Sequence, residues 1–331
     1  MTHYRSPWEL GKPLFDMVAL QRGVDLDEVG VILVNDGEES RLPDELFREY
    51  PFRVTNLTIP HGGVSRARNA GIDASDAEFV MICDFDDCFL TVTGLQTIFA
   101  AIKEWPETDV YLSEFMEEVQ MPDGDVKLLK HADDVIFIHG KVFRKEWLVK
   151  EDIRFCDRLT LHEDIYFINL ARSVVDHKRI KEIPTPYWLW CFNPHSVGRS
   201  YGDDFILHTY DHLIRKSSAL IKEYLRRGMR ENAVTVACKT MVDAYYDMQN
   251  AVWKKQKEWW QRDEEWICGF FKRYGLLYAE GGVQLIALIA QAARENRVKT
   301  GEFLMENITM GDWLQHLMSE VKPVEEKLMD V

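Results

Sequence analysis

The sequence lacks an apolar run long enough to cross a bilayer. Its longest, Val283 to Ala293, falls well short of the ~20 residues a spanning helix needs and is interrupted by glutamines. This argues against a membrane-embedded polymer synthase. A charged-then-apolar leader is also missing at the amino end. Basic residues are outnumbered, with 40 Lys and Arg against 55 Asp and Glu for a net charge of −15, so a global electrostatic footprint for nucleic acid is ruled out, though a local patch is not. None of the six cysteines (Cys83, Cys88, Cys156, Cys191, Cys238 and Cys268) belongs to a CxxC pair or stands at zinc-ligand spacing with histidine. They read as reduced thiols, packed as small core residues, in a cytoplasmic protein. Internal repeats, low-complexity tracts and long linkers are absent, as is any Ser-His-Asp or Cys-His arrangement that would suggest covalent catalysis.

What remains is a globular composition: 331 residues, 46% of them apolar, enough for one large domain or two ordinary ones. The two halves differ in texture. Up to about residue 200, short β-branched runs alternate with helical stretches. Val29–Asn35, Phe52–Ile59, Glu78–Cys83 and Asp109–Glu117 read as strands, and Ser65–Ala74 and Leu95–Glu104 as helices. That alternation predicts an α/β sheet, at least partly parallel. From about Asp203, helical spacing dominates over Ile206–Arg227, Arg230–Trp253, Glu258–Tyr274, Gly282–Asn296 and Thr309–Glu320. The aromatic residues of this half, among them Tyr245, Tyr246, Trp253, Trp259, Trp260, Trp266, Phe270 and Phe271, are expected to pack inward as its core.

The chemistry concentrates at a few places. Met81-Ile82-Cys83-Asp84-Phe85-Asp86-Asp87 puts three carboxylates directly after a buried strand, the end at which open α/β sheets bind ligands. Such carboxylates repel one another unless a cation or ligand offsets their charge, and an Asp-x-Asp turn suits one hard divalent cation. Upstream, Gly62-Gly63-Val64-Ser65-Arg66-Ala67-Arg68-Asn69 opens a helix whose first turns carry two arginines, a combination suited to phosphate. Asp36 ends a strand in Val34-Asn35-Asp36-Gly37, where it can accept hydrogen bonds from a base or ribose. Leu161-His162-Glu163-Asp164-Ile165-Tyr166-Phe167 opens another helix with an acidic pair, which suits either capping or general-base work.

In order, the elements VNDG, GVSRARNAGI, CDFDD, IHGKVFRKEWL and HEDIYF resemble the GT-A-fold glycosyltransferases of family 2, over roughly Arg5 to Ser200. The resemblance implies a Rossmann-like nucleotide-diphospho-sugar transferase sheet in residues 1–200, with residues 201–331 as an α-helical domain for acceptor or homo-oligomer contacts. It implies a hexosyltransferase-like enzyme that moves a sugar from a nucleotide-diphosphate sugar, a UDP-sugar first among donors, to an acceptor hydroxyl with inversion. By the same resemblance, Asp164 would be the general base with Glu163 beside it. Asp36, Arg66, Arg68, Asp84 and Arg199 would hold the nucleotide and its phosphates. Asp84, Asp86 and His195 would hold Mn²⁺ or Mg²⁺. The stretch from Trp190 to Arg199 resembles a loop that closes over the donor.

The family begins with an apolar strand, and here the match picks up only at Thr2-His3-Tyr4-Arg5. Three explanations stand: Met1 is an internal methionine of a misassigned start, the expected one; the chain is truncated or degenerate; or another segment or subunit fills the place. The rival reading is an inactive GT-A-like scaffold that binds a partner through its helical half. The acceptor stays open among glycans, anionic polymers, proteins and modified nucleic acids. Basic clusters at Lys141–Lys150, Lys178–Lys181, Arg226–Arg230 and Lys254–Lys257 are read as solvated faces, with an anionic acceptor as the sharper alternative.

Overall fold

The computed structural model describes all residues except 122, 133, 135, 200–207, 254–256, 300–307 and 331, and the side chains of 198, 250–253 and 257–259 are likewise left aside. The chain forms two compact units, Met1–Ser200 and Tyr201–Val331.

The first unit is built on parallel strands because its central runs are apolar on both faces. β1 (Thr2–His3), β2 (Gly30–Asp36) and β3 (Arg53–Ile59) form one parallel ladder, with Thr2 opposite Val34 and Gly30 opposite Arg53. A second sheet has the order β10 (Ile180–Ile183), β6 (Val110–Ser113), β9 (Val142–Arg144), β4 (Phe79–Met81), in which β9 runs antiparallel to both its neighbours. A third has the order β5 (Cys88–Phe89), β11 (Trp188–Trp190), β7 (Phe115–Gln120), β8 (Val126–His131). The helices of this unit are α1 (Trp8–Ala19), α2 (Val64–Ala74), α3 (Gly94–Glu104), α4 (Lys145–Lys150) and α5 (Glu163–Val174). Phe15, Leu33, Phe85, Tyr111, Phe115 and Trp188 are enclosed in the core.

Where the sequence reads one strand over Asp109–Glu117, the backbone makes two, interrupted at Glu114 and belonging to different sheets. The expected strand over Glu78–Cys83 shortens to Phe79–Met81 because the chain turns to present Asp84.

The second unit is helical: α6 (Tyr210–Arg226), α7 (Arg230–Trp253), α8 (Lys257–Glu280), α9 (Gly282–Lys299) and α10 (Met310–Ser319). Tyr245, Tyr246, Trp266 and Phe270 are buried in it, whereas the side chains of Trp253 and Trp259, Ile206 and the cluster residues Lys254–Gln256 lie outside the described residues. Gly275 does not end a helix as read but lies within α8. No single helix among the described residues is long and apolar enough to cross a membrane.

Candidate active site

The carboxyl end of β4 faces the start of α5 across α2, and Arg68 joins them. Its guanidinium donates from Nη2 to Asp84 Oδ1 at 2.6 Å and from Nη1 to Glu163 Oε1 at 2.7 Å, with 4% of its side chain exposed. Helix α2 is fixed for this by three further bonds. Ser65 Oγ donates to the Leu159 carbonyl (2.8 Å), and Asn69 exchanges bonds with the Phe155 backbone at 2.9 and 3.0 Å. The segment before α5 is thereby tied to α2. His162, immediately ahead of α5, sits at φ +59°, a left-handed conformation that non-glycine residues hold only where surroundings enforce it.

Electrostatics separates the carboxylates. Asp84 is held below its ordinary pKa: burial opposes ionisation, but Arg68 and His139 outweigh it. Glu163 is pushed up to about 7 by burial, against the pull of Arg68. Asp164 is also raised by burial, with Arg68 opposing, and its Oδ1 accepts the Ile165 amide at 2.7 Å. Asp87 is pushed up to about 6 by burial, with His139 opposing.

Asp84, Asp87 and His139 can each present one ligand atom within 4.8 Å of the others. His139 reaches this cluster because β9 runs antiparallel to β4, so the turn before Val142 lies at the end where β4 finishes. Gly140 permits that turn: its φ is +69°, and a Cβ there would stand 2.4 Å from Ser113 Oγ. The buried His139 Nδ1 lies 3.2 Å from Asp87 Oδ2, an ion pair when the imidazole is protonated, so the ring faces the oxygens of this cluster. Two carboxylates and an imidazole fit Mn²⁺ better than Mg²⁺, which prefers oxygen alone.

This differs from the expected metal set. Asp86 instead accepts from Asn193 Nδ2 at 2.7 Å, and Asn193 Oδ1 accepts the His195 amide at 2.9 Å. His195 is exposed and stands outside the cluster. Asp87 holds the loop after β11, accepting the Cys191 amide at 3.1 Å. His139 and Asn193 were passed over in the sequence, although both lie in stretches already set apart there, and a histidine directly before a buried strand was the available sign.

The nucleotide-side residues also differ from expectation. Asp36 is buried, and its two oxygens accept the Gly62 and Gly63 amides at 2.7 and 2.9 Å, with His61 Nδ1 2.9 Å away. It thus secures the turn into α2 rather than presenting free oxygens to a base. Arg68 is committed to carboxylates rather than open to phosphate. Arg66 is exposed on the first turn of α2. Arg199 Nη2 donates to Glu117 at 3.3 Å, and its guanidinium lies over Phe192 and Trp190, while Nη1 has no hydrogen bond.

A model described as Glycosyl transferase family 2 matches residues 11–155. Over that stretch the chain is similar to glycosyltransferase family 2. An uncharacterized glycosyltransferase of Bacillus subtilis (strain 168), EpsJ, is 26% identical over 192 residues, covering 52% of this chain and 55% of that protein. Another from the same organism, YwdF, is 43% identical over 60 residues, covering 18% of this chain and 22% of that protein. The chain therefore matches about half or less of the length of these curated relatives. Among solved structures, S. aureus TarS 1-349 in complex with UDP-GlcNAc aligns with a TM-score of 0.50 at 19% identity, over 72% of this chain and 79% of that one. This likeness is one of fold, the GT-A fold of family 2.

Proposed function

We propose that the first unit transfers a sugar from a nucleotide-diphosphate donor, UDP-sugars first, to an acceptor hydroxyl with inversion, Asp164 serving as general base. The observation that carries this reading is the Arg68 clamp, which brings the acidic end of β4 and the acidic start of α5 into one electrostatic cluster. The family match over residues 11–155 supports it, as does the UDP-GlcNAc held by the TarS fold relative. A carboxylate raised by burial is the better proton acceptor near neutral pH, so Asp164 is suited to deprotonate the hydroxyl as it attacks. Glu163 is bound to Arg68 and orients the start of α5 instead. Asp84, Asp87 and His139 are the residues that would hold Mn²⁺ or Mg²⁺. The cation, when bound, would offset charge on the departing diphosphate. Arg199 and the exposed Arg66 are the cationic groups left for phosphate. A cytoplasmic setting suits its free thiols.

The scaffold reading is favoured by one observation, an open slot beside β2 at the edge of the site. Nucleotide release from UDP-, GDP- and dTDP-sugars, with Mn²⁺ and with chelator, separates the two. We expect release from one donor class, lost with chelator and reduced roughly 10²–10⁴-fold in Asp164→Asn. Absence of release from every donor would leave the scaffold.

A further inference from the structure

Two thiols meet beside the acidic cluster. Cys88 opens β5 directly after Asp87, and Cys191 is the first residue beyond β11. The two strands run antiparallel with Cys88 opposite Leu189, so Cys191 stands one side-chain repeat further along, on the same face as Cys88. The Sγ atoms lie 3.6 Å apart, in contact and unbridged. Cys238 and Cys268, by contrast, direct their thiols at the carbonyls of Tyr278 and Leu317. Cys88 is buried, whereas Cys191 is half-buried and open to a small reagent.

The pair sits on the joint that fixes the loop after β11. Asp87 accepts the Cys191 amide at 3.1 Å, and the Trp188 indole donates to its other oxygen at 3.4 Å. Glu118 accepts the Phe192 amide at 2.8 Å, and Asp86 accepts from Asn193 Nδ2 at 2.7 Å. A disulfide has its sulfurs about 2.05 Å apart, so these two would have to approach by about 1.5 Å. Cys88 is held in the ladder between the buried Asp87 and Phe89. The movement therefore falls on Cys191 and the loop that it starts.

We propose that Cys88 and Cys191 are a reversible oxidation site, whose disulfide draws the loop after β11 away from its anchors on Asp86, Asp87 and Glu118. A peroxide is the class of oxidant that fits, being small enough to reach Cys191. The Cys191 sulfur takes one oxygen from hydrogen peroxide, becoming a sulfenic acid, and the other oxygen leaves as water. The Cys88 sulfur then attacks that sulfur. The S–S bond forms, the S–O bond breaks, and the hydroxyl leaves with the Cys88 proton as a second water. The two sulfurs supply the two electrons that reduce the peroxide. A dithiol reverses the step by exchange, itself becoming a disulfide. An effect on sugar transfer rests on the function proposed above, while the disulfide and the loop displacement do not.

The test treats the full chain with a small molar excess of hydrogen peroxide, blocks remaining thiols with N-ethylmaleimide and maps the peptides by mass spectrometry. We expect a linked Cys88–Cys191 peptide in the wild type and in neither Cys191→Ser nor Cys88→Ala. Oxidation should also speed amide hydrogen exchange at Cys191 and Phe192. Nucleotide release, compared with the same protein before oxidation, should slow at least about tenfold, the scale of an ångström of misplacement. Dithiothreitol should restore all three. Blocked thiols at both positions, or a link through another cysteine, overturns the site. A Cys88–Cys191 disulfide that leaves the two amides unchanged overturns the displacement, and undiminished release with a displaced loop overturns the effect on turnover. Reduced protein that releases no nucleotide from any donor counts against sugar transfer instead, and peptide mapping with amide exchange still decides the oxidation site.

Discussion

With two carboxylates within 2.7 Å and almost no exposed surface, Arg68 carries a charge that the fold cannot solvate and does not leave unpaired. Removing it strands Asp84 and Glu163 in the same low-dielectric space. Arg68→Met should lower stability by about 3 kcal/mol, below the upper range for a buried pair because Asp84 is 34% exposed. The loss should be larger at pH 8 than at pH 5, where the carboxylates can take protons, and urea denaturation at the two pH values checks this. An equal loss would mean that Arg68 contributes packing rather than charge. Glu163 gives a second pH effect. Unfolded, it ionises near 4.5, while folded it keeps its proton to about 7. Stability therefore falls as pH rises through that window, by at most about 3 kcal/mol. Glu163→Gln keeps an acceptor for Arg68 and removes the titration, so its stability should fall less between pH 5 and 8 than that of the wild type. The carboxylates were legible in the sequence as a set. Their division into a depressed Asp84 and a raised Glu163 was not, since Arg68 lies 16 residues from one and 95 from the other.

At the scale of elements, the long amphipathic helices and the apolar strands were the most readable. Arg230–Trp253 matches the spacing to the residue, and β2 and β3 lie within a residue of the reading at each end. Short strands were not readable: β5 and β11 are two and three residues long, below the length at which periodicity can speak. Two turns show how local backbone needs build the site. Gly63 opens α2 at φ +88° with nothing near a would-be Cβ, so only conformation requires glycine there. Gly140 combines φ +69° with the Ser113 collision, and its carbonyl accepts from Ser113 Oγ at 2.9 Å and from the Tyr187 hydroxyl. Gly63→Ala should then cost about 1–2 kcal/mol, the left-handed penalty alone, and Gly140→Ala clearly more. Thermal denaturation of both ranks them. Reversal of that order would show that the Gly140 turn gives way easily, and would weaken its part in placing His139.

For the whole molecule the question is where the positive charge of a net −15 chain goes. The basic clusters were visible in the sequence, and their partners were not, because most of those partners are far along the chain. Lys141, read as part of a solvated face, is fully buried against Asp134 at 2.6 Å. Arg144 meets Glu78 and Asp109, Arg179 meets Asp109, Arg226 and Arg227 share Glu223, and Arg230 meets Glu280. Three of the five arginines in the described clusters thus meet acids distant from them in sequence, and the other two share one acid within their own helix turn. A polyanion would have to displace these partners and approach a surface of its own sign. The protein should accordingly pass through a heparin column at about 0.1 M salt, where surface charges are screened beyond ~10 Å. Retention that weakens steeply with salt would instead reveal a free cationic face and return an anionic acceptor to first place. Flow-through leaves recognition to groups that do not depend on net charge, and points the acceptor search toward neutral glycans and protein hydroxyls.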